Sequence, residues 1–200
     1  AVHLAAHVSV DRAALGADVV TCSPYKFFGP HLGVLAADPA FLETLHPDKL
    51  LPSTEAVPER FELGTLPYEL LAGVTAAVDF IASYADVPAD ADMSRRERLV
   101  SAFAAFEDAL CARLLAGLDQ LGHVRVHGSP ASRTPTMLLH VDGHEPHRVY
   151  EALAAEGVIA PAGSFYALEA SRHAGLGDAG GVRVGLSPYT TTDDLDRLVV

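Results

Sequence analysis

Tryptophan is missing from this chain of 200 residues, cysteine and methionine occur twice each, and only two of the fourteen basic residues are lysines. Cys22 and Cys111 form neither a CxxC pair nor a disulfide framework, which excludes a disulfide-stapled scaffold and fits a reducing, cytoplasmic setting. No apolar run approaches the ~18 consecutive residues of a membrane-spanning helix, so a membrane is not an expected partner. Positive charge is scarce: fourteen basic against 26 acidic residues give a formal net charge of −12. Nucleic acid and anionic lipid surfaces attract basic proteins, so both are excluded as expected partners, whereas an anionic small molecule needs only a locally basic site. What is present is an ordinary globular composition, 50 % hydrophobic and 20 % charged, sufficient for one or two domains with buried cores.

The chain begins Ala1-Val2-His3-Leu4-Ala5-Ala6-His7, with no initiator methionine, basic segment or cleavage pattern, and reads like the inside of a strand. It ends within an amphipathic helical pattern that has no C-cap. Both ends read as cut, and the expectation is a fragment of a longer protein. Residues 17–22 and 32–37 read as strands, the first buried, 41–45 as a short helix and 68–84 as a helix with apolar spacing. Residues 86–92, with Pro88, are the expected linker, dividing domain 1–86 from domain 92–200. Beyond it, 93–121 reads as one long helix with apolar positions at Leu99, Phe103, Phe106, Leu110, Leu114 and Leu118. Strands at 124–127, 136–141, 158–160 and 182–186, with helices at 146–156 and from 191 onward, predict a small α+β domain.

Lys26 stands out. It follows the first strand pattern in the run Ser23-Pro24-Tyr25-Lys26-Phe27-Phe28-Gly29-Pro30, where proline and glycine forbid a continuous helix. An ammonium walled by aromatic rings loses hydration, so the expectation is a depressed pKa and an amine available as a nucleophile. Arginine could not serve, because it does not deprotonate. The same residues spell S-x-x-K, a serine acyl-transfer motif, but the motif's companion K-T-G is absent, since Lys49 is followed by Leu50-Leu51. A lysine snorkelling from a strand end is the purely structural alternative.

Other patterns carry less. Gly175-Leu176-Gly177-Asp178-Ala179-Gly180 matches G-x-G-x-x-G with helix and strand in the wrong order for a dinucleotide turn. His3 and His7, and His144 and His147, have spacings that would share a helix face, but residues 1–7 read as a strand, which spreads the first pair over ~13 Å of chain, and the second pair flanks a helix start beside Pro146 with no third ligand evident. Surface or core positions account for most of the ten histidines, with His3 the exception. Arg183 sits inside the apolar strand pattern 182–186, where a guanidinium must be ion-paired or face a cleft and a substrate carboxylate. Gly64-Thr65, just before a helix, offers backbone N–H groups and a hydroxyl to a phosphate.

Taken together, the segment 17–30, the run Arg60-Phe61-Glu62-Leu63-Gly64-Thr65 and the run Arg183-Val184-Gly185-Leu186-Ser187-Pro188-Tyr189 resemble, in order, three segments of one family. These are the fold-type I enzymes dependent on pyridoxal 5′-phosphate (PLP), specifically the class V aminotransferase or cysteine-desulfurase-like family. The resemblance implies an α/β fold: the end of a large-domain sheet plus a small α+β C-terminal domain. It implies that Lys26 forms a Schiff base with PLP and shuttles protons. Ser23, and with it Tyr25, would hold the cofactor phosphate, Thr65 with Gly64 would reach the phosphate in the neighbouring subunit of a homodimer, His3 would lie beside the pyridine ring, and Arg183 would clamp the carboxylate of an amino-acid-like substrate.

Two departures qualify it. Where the family's desulfurases carry a nucleophilic cysteine on a loop, this chain reads Gly163-Ser164-Phe165-Tyr166-Ala167-Leu168-Glu169. Transamination, C–S lysis, elimination and epimerisation therefore stay open in place of persulfide formation. The family's pyridine-pairing Asp would fall one residue before Ala1, and its glycine-rich phosphate loop and ring-stacking aromatic earlier still. The expectation is that these residues alone do not bind PLP competently. The competing class is a non-catalytic, dimerising remnant of the same fold.

Overall fold

In the computed structural model, which describes residues 1–85, 92–102 and 104–199, the run Val19-Val20-Thr21-Cys22 forms strand β1 (Val19–Cys22). It pairs antiparallel with β2 (Val34–Ala37), from Val19 opposite Ala37 to Cys22 opposite Val34. The sequence predicts a buried β1. Instead its residues alternate between exposed and half-buried, and Val19 and Leu35 stay 38 % and 52 % exposed, because among the described residues the two strands pair only with each other. The start of the chain also differs from its expected strand. Leu4-Ala5-Ala6 lacks β-branched side chains and closes into a 3-10 turn through Ala6 N–H to His3 C=O and His7 N–H to Leu4 C=O.

Helix α1 (Pro39–Glu43) starts where Asp38 accepts from the Ala40 N–H at 2.8 Å and proline fills the first turn. Helix α2 (Tyr68–Ser83) buries Ala77, Ile81 and Ala82, and α3 (Arg95–Ser101) packs against it behind a reciprocal cap between Ser94 and Glu97. Phe27 and Ile81 form the small core here, with Cys22, Val78, Leu99 and Ala102 around them. The expected linker at 86–92 lies, but for Asp92, outside the described residues, as does Phe103. The long helix predicted over 93–121 is described as two elements, α3 and α4 (Ala104–Asp119).

The chain divides into two compact units, Ala1–Ala104 and Ala105–Val200. The second has the larger core. Leu110, Leu114 and Leu118, one face of α4, are buried with Met137, Leu139, Val182, Val184, Leu186 and Leu195. Phe106, predicted on the same face, is 44 % exposed. Strands β3 (Val124–His127), β4 (Thr136–Val141), β5 (Ala162–Gly163) and β6 (Gly181–Gly185) form an antiparallel sheet in the order β3-β4-β6-β5. Helices α5 (Pro146–Ala155), α6 (Leu168–His173) and α7 (Thr192–Val199) complete the unit. The strand predicted at 158–160 is displaced: pairing begins only at Ala162, after Pro161, which has no N–H to give to a ladder. No helix among the described residues is long and apolar enough to cross a membrane.

Strand alternation sorts this sheet into two faces. Val124, Val126, Met137, Leu139, Val182 and Val184 face the core. Arg125, His127, Leu138, His140 and Arg183 occupy the other face, since Arg125 stands opposite His140, and Leu138 stands between His127 and Arg183.

Candidate functional site

Lys26 ends a 3-10 turn, Pro24–Lys26, that follows β1 directly. The Lys26 N–H donates to the Ser23 carbonyl at 2.9 Å, and the Phe27 and Gly29 N–H groups both donate to the Pro24 carbonyl at 2.9 Å. Pro24 and Phe27 are buried beneath the turn. Gly29 passes so close to Pro24 that a Cβ there would stand 2.9 Å from the proline Cβ, and Phe28 turns the chain with φ +67°. The backbone on both sides of Lys26 is thus fixed by short-range contacts.

The side chain differs from its expectation. Lys26 is exposed, and Phe28, expected to wall it, turns away to meet Phe80, ring centroids 5.9 Å apart. The ammonium sits 5.3 Å from the centroid of the Tyr25 ring, which stacks on His31 at 4.8 Å. Among the described residues the Lys26 amine has no hydrogen bond or ion pair. The desolvation expected from the aromatic sequence is therefore not supplied by these residues.

Ser23 heads the same turn with its side chain making no capping hydrogen bond. The Ala1 nitrogen donates to the Thr21 carbonyl at 2.8 Å and brings the first residues beside β1, and His3 packs its ring 4.8 Å from that of His7. Ser23, Tyr25 and Lys26 are thus brought together. Gly64 and Thr65 lie in an exposed loop, Gly64 at φ +83°, with α2 starting only at Tyr68 behind an uncapped Pro67. They therefore precede the helix, as the sequence suggested, and their N–H groups are not part of its first turn. Arg60 in the same segment is buried and bound to the Glu43 carboxylate and the Leu45 carbonyl, tying this loop to α1.

In the second unit Arg183 points out from β6 between buried Val182 and Val184. Its Cζ lies 4.1 Å from the centre of the Phe165 ring, and its side chain has no ion pair among the described residues. The loop bearing that ring holds Phe165 at φ +53° and Tyr166 at φ +65°. Left-handed conformations at two aromatic residues cost on the order of 1–3 kcal/mol each. Gly163 pairs with Gly181 in the sheet, and a Cβ on Gly180 would overlap the Gly163 carbonyl, so the loop is fastened at its start. The sequence showed the aromatic pair Phe165-Tyr166 in this loop but not its strain or its contact with Arg183; the glycines at 163, 180 and 181 were the available signal.

On the same sheet face Arg125 makes two hydrogen bonds to the Asp142 carboxylate, both 2.9 Å, which hold that carboxyl below its ordinary pKa. The His127 ring lies 6.3 Å from that of His140. Burial, then the neighbouring His140 and Arg125, pushes its pKa down. Both thiols are pushed up by burial, Cys22 in the first unit and Cys111 in the second. Among the described residues no group of three or more His, Cys, Asp or Glu side chains could hold a metal ion.

The fold is that of known enzymes. A cysteine desulfurase from Thermococcus onnurineus NA1 superimposes with a TM-score of 0.80 at 24 % identity, covering 100 % of this chain and 49 % of that one. The Escherichia coli cysteine desulfurase CsdA gives 0.77 at 22 %, covering 98 % and 47 %. An uncharacterized Mycobacterium tuberculosis protein is 31 % identical over 95 % of this chain and 48 % of its own length. A probable cysteine desulfurase of Mycobacterium leprae is 30 % identical, over 96 % and 46 %. The chain therefore spans about half the length of the curated relatives it matches. The aminotransferase class-V family model covers residues 1–198, and the chain, with its fold-type I architecture, belongs to that family of PLP-dependent enzymes.

Proposed function

We propose that this protein is a PLP-dependent enzyme acting on an amino acid or amino-acid-like substrate, with Lys26 as the covalent cofactor lysine. The observation that carries the reading is the Lys26 amine, free of hydrogen bonds and ion pairs among the described residues, on a backbone turn fixed from both sides. An aldehyde cofactor needs such an amine, and a hydroxyl for its phosphate stands three residues earlier in Ser23, uncommitted to capping. The donor set present fits PLP. When bound, PLP supplies the electron sink that labilises bonds at the substrate's α-carbon.

The chain's own residues do the rest. Lys26 holds or releases a proton at Nζ beside the reacting carbon. Ser23 and Tyr25 would hold the phosphate, Gly64 and Thr65 would reach it from the partner subunit of a homodimer, and His3 would lie beside the ring. Arg183 takes the substrate carboxylate, for which its donors are uncommitted. Persulfide formation on the protein is disfavoured: residues 163–169 carry no cysteine, and burial pushes the Cys22 and Cys111 thiols up, away from the reactive thiolate. The reaction is then transamination, C–S lysis or epimerisation. The test is to incubate the full-length protein with a panel of amino acids, following cofactor absorbance together with released 2-oxo acid, sulfide and amine. Reaction with none of them, or full activity in Lys26→Ala, refutes the proposal.

A further inference from the structure

We propose that Phe165 is a positioning residue for Arg183, holding the guanidinium by one face so that its edge is presented to a carboxylate. The inference rests on the reading of Arg183 as the carboxylate clamp. An arginine side chain leaving a strand has several rotatable bonds, and nothing polar among the described residues fixes this one. Its strand is fixed: the Arg183 N–H donates to the Pro161 carbonyl at 2.9 Å, and Leu138 lies across the ladder. The Phe165 ring lies under the guanidinium, its centroid 4.1 Å from Cζ. Packing against the flat face of a guanidinium leaves all five N–H donors in the plane, directed outward, which is the geometry a two-pronged carboxylate contact requires.

The loop is built to keep the ring there. Its start is fastened by the Gly163–Gly181 pairing and by the close approach of Gly180. Its end is fastened by the Ala167 N–H bonded to the Ser164 carbonyl at 2.9 Å and by Ser171 Oγ donating to the Gly177 carbonyl at 2.6 Å beyond it. Between these ties the backbone adopts left-handed angles at Phe165 and Tyr166 that local preference does not favour. Such angles persist where surrounding structure imposes them, and here they set the ring on Arg183.

The test uses the full-length, PLP-loaded protein labelled with 15N-arginine and titrated with acetate, a carboxylate without an amine. The Arg183 side-chain Nε–H signal is assigned by its loss in Arg183→Lys, and acetate inhibition is followed in parallel. Phe165→Leu is expected to weaken acetate binding about tenfold, and Phe165→Tyr to restore it, because tyrosine keeps the ring. With an amino-acid substrate, KM rises by more than kcat falls. If Phe165→Leu does not fold, Phe165→Met is read in its place. Unchanged acetate affinity in Phe165→Leu while Arg183→Lys weakens it overturns the positioning role and leaves the clamp standing. Unchanged affinity in Arg183→Lys overturns the clamp, and the positioning role with it. Weakening in Phe165→Leu that Phe165→Tyr fails to restore also overturns the proposal.

Discussion

Replacing Lys26 by alanine removes the one amine that the turn at Pro24–Lys26 presents. If Lys26 is the cofactor lysine proposed above, its loss lowers kcat by roughly 10²–10⁴-fold, and the expected outcome is that decline together with loss of borohydride-sensitive cofactor absorbance. The turn that carries Lys26 was legible because proline and glycine around it specify a turn rather than a continuous helix. Its surroundings were not, because burial depends on what packs over a side chain, and adjacent residues do not report that: Phe28 leans on Phe80, far along the sequence. His127 offers a second test at this scale. Burial, then the neighbouring His140 and Arg125, depress its pKa below the ordinary 6.5, so the folded state takes up the proton less readily than the unfolded chain. Its contribution to stability is full above that value and is lost as pH falls through it. Denaturant midpoints measured above and below it should drop less on acidification in His127→Gln than in the parent protein.

Helix and strand boundaries depend on a few identifiable groups. In the cap of α3, the Ser94 N–H donates to the Glu97 carboxylate at 2.7 Å and the Glu97 N–H to Ser94 Oγ at 3.3 Å. Ser94→Ala should cost about 1 kcal/mol, read from the shift in denaturation midpoint. Gly180→Ala should be more disruptive, because φ +70° and the Gly163 carbonyl both exclude a side chain. Its expected signature is a loss of stability greater than ~1 kcal/mol, with weakened amide protection in β5 and β6. Strands β3 and β4 were readable to the residue, since a clean alternation faces one core. The first seven residues and 158–160 were not. Short apolar runs of alanine and valine suit strand or turn equally, and hydrogen-bond partners decide between them. A single helical periodicity over 93–121 likewise hid the Ser94 cap, which is a local hydrogen-bonding event rather than a pattern of hydrophobicity.

At the scale of the whole molecule the apolar core is unevenly shared. Among the described residues, eleven buried side chains form the cluster of the second unit and two form that of the first. Leu114, 1 % exposed, lies in the larger one, and Leu114→Ala should destabilise that unit by about 2–5 kcal/mol, measured by chemical denaturation. Expressed as residues 105–200, the second unit should unfold cooperatively, whereas 1–104 should bind a hydrophobic dye, given exposed Val19, Tyr25, Phe28, Leu35 and Phe80. The family was legible in three short segments that carry charge and turn chemistry. The division of the core was not, because it depends on which helices cover which sheet. The scarcity of cysteine then becomes an experimental asset. Each unit contains one thiol, Cys22 half-buried in the first and Cys111 buried in the second, so the rate at which each is alkylated is a native clock for the opening of its own unit, without any probe being introduced.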